Sequence, residues 1–131
     1  MGVFLRDSIQ NIFKMKTSTQ RQPEYLKYGE IIFLIDTNTL KLAVYQNIEL
    51  VKESGYEDYL FIPFRDITSG DETYGGGRYL DFRIPETDSV FIDFNLSYNP
   101  YCAYNHKYSC PIPPAENSLP VKILAGEKAY K

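Results

Sequence analysis

The 131-residue chain contains no tryptophan, one histidine (His106), two cysteines and no long apolar run. No stretch approaches the roughly 20 apolar residues of a membrane-spanning helix, so a membrane is not an expected partner. Fourteen Lys and Arg face seventeen Asp and Glu, for a net charge of −3. With no basic stripe, nothing is set out to neutralise a phosphate backbone, and nucleic acid is not an expected partner. The opening residues, MGVFLRDSIQNIFKMK, have neither a continuous apolar core nor a small-residue cleavage site. Arg6 also stands where a myristoylation signal has Ser or Thr. The chain as given is therefore expected in the cytoplasm by default. Internal repeats and low-complexity tracts are missing as well.

What remains is an aromatic-rich sequence with 12 Tyr and 8 Phe. Its length suits one domain, 1–131, able to bury a core without help from a disulfide or metal. Tyr has an apolar ring and a polar tip, which fits half-buried positions around a site or an interface. The same composition also suits an ordinary β-rich domain.

Coarse patterning predicts a short helix within residues 1–12, from the stripe of Phe4, Leu5, Ile9, Ile12 and Phe13. From Phe13 to Thr19 the period turns to two, as in a strand. EIIFLID (30–36), the turn DTNT and LKLAVY (40–45) predict a hairpin over 30–46. Tyr59–Phe64 reads as a strand. YLDFRI (79–84), the turn PETDS and VFIDFN (90–95) read as a second hairpin. Residues 96–118 hold four prolines and no helical period, which predicts a long irregular Cys/Pro loop. LPVKILA (119–125) reads as a final strand. About seven short strands point to a mainly β fold, an antiparallel barrel or sandwich.

The runs YLFIPFRDITSGDETYGGGRYLD, IDFNLSYNPYCAYNHKYSCPIPP and LPVKILAGEK resemble an uncharacterised prokaryotic family, domain of unknown function 1684. The lead-in FKMKTSTQRQPEYLKYGEIIFLID is similar too. The likeness covers about residues 13–128 and is to the C-terminal portion of the family, whose members typically carry a further N-terminal region; residues 1–12 have no counterpart in it. The resemblance implies no established activity. It implies that Asp66, Thr68, Glu72, Tyr74, Gly75, Gly77, Arg78, Asp93, Asn95, Asn99, Pro100, Cys102, Cys110, Pro111, Pro113, Pro114 and Asn117 stand at motif positions, whereas many members differ at His106.

Four constellations could carry function, and each also has a plainer reading. In GDETYGGGRY (70–79) the glycines let a ligand approach the backbone, and Arg78 could grip a carboxylate or phosphate. Alternatively this is a turn whose Arg78 pairs with Asp66, Glu72 or Asp81. The acids Asp66, Glu72, Asp81 and Asp93 could converge for acid/base chemistry, or Asp93 could form a structural pair with Arg78 or Arg83. Cys102, His106 and Cys110 could hold zinc or a thiolate nucleophile; the cysteines could equally form a disulfide or remain thiols. In NLSYNPYCAYN (95–105), Asn95 and Asn99 could read a polar ligand walled in by Tyr, or simply bond local backbone in turns.

Three functional readings follow. The first is a module binding a small polar molecule or anion through Asp66, Thr68, Glu72, Tyr74, Gly75, Gly77, Arg78, Asp93, Asn95 and Asn99. The second is a hydrolase or lyase using a carboxylate pair with Arg78. The third is a Tyr-rich protein-interaction module, with a homo-oligomer as one form. No cofactor is required by any of them, zinc being the alternative.

Overall fold

The computed structural model describes residues 2–105 and 107–129. The chain divides into two compact units: Met1–Lys14, Glu24–Ile62 and Asp81–Ile92 form the first, and Met15–Pro23, Pro63–Leu80 and Asp93–Lys131 the second. Among the described residues no helix is long and apolar enough to cross a membrane.

The structure is mainly β, with seven strands among the described residues: β1 (Gly2–Arg6), β2 (Ile12–Lys14), β3 (Glu24–Ile35), β4 (Asn38–Asn47), β5 (Tyr59–Phe64), β6 (Arg78–Arg83) and β7 (Ser89–Val90). They form one sheet in the order β6-β5-β4-β3-β1-β7, with β2 also on β3. The recorded registers are antiparallel.

The β3–β4 hairpin is the backbone of the first unit. Its strands meet at the pair Ile35–Asn38 across Asp36 and Thr37. Asp36 adopts φ 55°, a left-handed conformation that Asp tolerates better than most residues. Ile31, Leu42, Val44 and Leu60 are fully buried, each worth about 1.5–3 kcal/mol. The hairpin begins at Glu24, earlier than the expected residue 30. A register shift between Lys27 and Gly29 breaks the alternation there, and a Cβ on Gly29 would collide with the Leu5 carbonyl.

The helix expected within residues 1–12 is instead β1, in register with β3 from Gly2–Phe33 to Arg6–Gly29. Phe4 is buried between exposed Val3 and Leu5, while Ile9 and Ile12 of the supposed stripe are exposed. Pairing with a long neighbouring strand overrides the local apolar spacing. The second expected hairpin is also corrected. β7 pairs with β1 rather than β6, and it ends at Val90, short of the 3-10 turn at Phe94–Leu96 that Asp93 caps.

The second unit is mostly irregular. It contains 3-10 turns at Phe94–Leu96, Tyr101–Ala103 and Ala115–Asn117 and isolated bridges such as Thr17–Pro111, Arg65–Ser118 and Tyr79–Tyr98. The strand expected at 119–125 is absent. Met15, Phe64, Leu80, Leu119 and Ile123 are buried here beside Asp66, Thr68, Thr73, Arg78, Asn99 and Asn117.

Candidate functional site

The polar motif assembles around Arg78, at the start of β6 and 1% exposed. Its Nη1 donates to the carbonyls of Ala125 at 2.6 Å and Glu127 at 3.4 Å, and its Nη2 to the carbonyl of Ile123 at 2.9 Å. The guanidinium also lies over the Phe64 ring, 5.3 Å from its centroid. The Ile123 and Ala125 carbonyls belong to the segment expected to be a strand, and Glu127 follows it. The guanidinium takes the acceptors that a partner strand would otherwise pair.

Asp66 faces Arg78 at 3.6 Å, and both side chains are almost fully buried. The Asp66 carboxylate accepts from Thr68 Oγ1 at 2.8 and 2.9 Å, from Ser69 Oγ at 3.2 Å and from the Ile123 amide at 2.5 Å. Thr68 in turn shares a hydrogen bond with Thr73 at 3.0 Å. Burial pushes the Arg78 guanidinium below its ordinary value, and Asp66 works against that shift. Arg remains charged at physiological pH.

The glycine run is a turn packed on itself. Gly77 has φ 93°, and a Cβ there would strike the Phe64 carbonyl and the Pro113 ring. Its amide donates to Tyr74 O at 3.0 Å. Gly75 and Glu72 are exposed and Tyr74 is half-buried; Glu72 meets the C-terminal segment through its carbonyl, which accepts from the Ala129 amide.

Asn99 is buried and joins the same segment. Its amide donates to Glu127 Oε1 at 2.7 Å, and its Nδ2 to Lys128 O at 2.9 Å. Tyr104 OH donates to Glu127 Oε2 at 2.5 Å. Asp93 serves locally, accepting from the amide of exposed Asn95 at 3.0 Å. The expected Asp93 pairing with Arg78 or Arg83 is therefore replaced by Asp66–Arg78 and Asp58–Arg83. The four acids have separate roles, since Asp81, in the first unit, accepts from Tyr59 OH.

Cys102 and Cys110 form a disulfide with Cα atoms 6.2 Å apart. This removes them as thiolate ligands or nucleophiles, so the zinc and thiolate readings lose their sulfurs; His106 lies outside the described residues.

Sequence reasoning missed Ile123, Ala125, Gly126 and Glu127, the segment that closes the cluster. Gly126 has φ 87°, and a Cβ there would strike Ser97 Oγ, Phe94 O and Arg78 Nη1. A glycine directly after an apparent strand was the available signal.

The model of a protein family of unknown function, DUF1684, matches residues 2–128. The chain belongs to the DUF1684 family. The match takes in β1 as well as the motif strands, so membership extends over nearly the whole chain rather than a C-terminal portion alone. The chain is similar to an uncharacterised protein of Haloarcula marismortui with a solution NMR structure. The two are 32% identical with a TM-score of 0.71, covering 97% of this chain and 68% of the other. No match is found among curated proteins.

Proposed function

We propose that this DUF1684 protein is a non-catalytic interaction module that pairs with a second copy of itself through the tyrosine loop of its second unit. The supporting observation is where the side chains point. Asp66, Thr68, Arg78 and Asn99, the groups suited to grip a ligand, bond to the protein's own backbone and to one another. Leu96, Tyr101 and Tyr108 are 71%, 71% and 50% exposed. The rings of Tyr101 and Tyr108 lie 5.2 Å apart beside the Cys102–Cys110 disulfide, so contact orders little further chain. From Phe94 to Cys110 the only Lys, Arg, Asp or Glu is Lys107. In a chain of net charge −3, such a face meets its own copy with little like-charge repulsion. Aromatic, charge-poor surface is the composition of an interface core.

Sedimentation equilibrium tests this. The wild type is expected to show a concentration-dependent dimer, and the double variant Tyr101→Ser/Tyr108→Ser roughly tenfold weaker association or more. A wild type that stays monomeric at every concentration overturns the proposal.

A second reading, a module for a small polar molecule or anion, has its own observation. Arg78 Nε and Asn99 Oδ1 are buried without a hydrogen-bond partner, a donor and an acceptor that such a molecule could join.

A further inference from the structure

The first unit holds an open recess of about 270 Å³, lined by Tyr56, Tyr59, Asp81, Phe82 and Arg83. Asp81 and Arg83 are two positions apart on β6 and so share a face. Arg83 is held in place: Nη1 donates to Gly55 O at 2.7 Å and to Asp58 Oδ1 at 2.9 Å. Its charged carbon lies 5.8 Å and 5.7 Å from the ring centroids of Tyr56 and Tyr59. Those rings meet edge to face, 5.9 Å apart at 85°. Tyr59 OH donates to Asp81 Oδ1 at 2.6 Å and orients that carboxylate. Among the described residues, none accepts a hydrogen bond from Nε or Nη2 of Arg83.

The chemistry of this lining narrows the ligand. The lining's Asp81 and Arg83 balance in charge, and Asp58, paired with Arg83, adds a further negative charge beside it, which opposes a free anion. Arg83 already occupies the cation position at both tyrosines, which opposes a second cation. A neutral molecule with adjacent hydroxyls meets neither obstacle. One hydroxyl donates to the Asp81 carboxylate, its neighbour accepts from the Nε–Nη2 edge of Arg83, and the C–H face lies on the Tyr56 ring. We propose that this recess binds one ring of a neutral sugar. The site lies in the other unit from the tyrosine loop and is independent of the self-association reading.

Amide chemical shifts of the ¹⁵N-labelled full chain, titrated with the methyl glycosides of glucose, mannose and galactose, test this. Inorganic phosphate and tetramethylammonium serve as charged comparators. Saturable shifts at Tyr56–Tyr59 and Asp81–Arg83 are expected with at least one glycoside. Arg83→Ala is expected to weaken binding roughly tenfold, as for a lost hydrogen bond to a charged group. Tyr56→Ser, at an exposed position, is expected to weaken it while leaving the folded spectrum intact. Tyr101→Ser/Tyr108→Ser should leave it unchanged. The proposal is overturned if no glycoside gives saturable shifts, if phosphate or tetramethylammonium binds in their place, or if sugar binding survives both Arg83→Ala and Tyr56→Ser.

Discussion

In the first unit, peptide groups are paired largely by strand ladders; in the second, where single bridges stand in for strands, side chains do much of that pairing. Arg78 takes three carbonyls of the C-terminal segment. Asp66 takes the Ile123 amide, Asn117 donates to Pro63 O at 2.8 Å, and Asn99 to Lys128 O. A run dense in polar residues therefore need not mark a ligand site. Irregular backbone offers many unpaired donors and acceptors, and buried ones must be satisfied. The two arginines of β6 display the contrast on one strand: Arg78 is buried among carbonyls, whereas Arg83 sits at the surface beside two tyrosines.

That contrast breaks most severely at Arg78. Arg78→Ala strands a buried carboxylate and three carbonyls, and is expected to cost about 3–5 kcal/mol in denaturant unfolding. Asp66→Ala should cost a similar amount, and Asp66→Leu combined with Arg78→Met less than the sum of the single changes, because the pair is removed together. An Arg78→Ala chain of wild-type stability would remove the guanidinium from its role as the closure of the unit. Gly126→Ala comes next. It forces a side chain into a left-handed conformation and against Ser97 and Phe94, with an expected loss of about 1–3 kcal/mol; an unchanged unfolding midpoint would contradict the close packing. Arg83→Ala is the smallest. Arg83 and Asp58 are about half exposed, so solvent screening limits their pair to below about 1 kcal/mol. A loss as large as that of Arg78→Ala would erase the distinction between the two arginines.

The parts legible in the sequence were those whose partners are near in the chain. The β3–β4 hairpin could be read because EIIFLID and LKLAVY flank their own turn. The Asp66–Arg78 pair could be read only as one of several, because residue types show that a buried charge needs a partner without naming it. β1 was misread because the residues it pairs with in β3 lie more than twenty positions away, and its apolar residues fit two periods. The segment at 119–125 was misread for a different reason. Its alternation is real, but Leu119 and Val121 bond to the backbone of Arg65 and Ile67, the carbonyls of Ile123 and Ala125 meet a guanidinium, and no local pattern distinguishes that outcome from a strand. The disulfide stood among the alternatives because two cysteines eight positions apart fit it without requiring it.

The hold of Arg78 on Ile123, Ala125 and Glu127 has a consequence for biosynthesis. The acceptors of a buried charge follow it in the chain by 45 to 49 residues. The second unit therefore cannot complete its closure while that stretch is still inside the ribosome, however early the β3–β4 hairpin has formed.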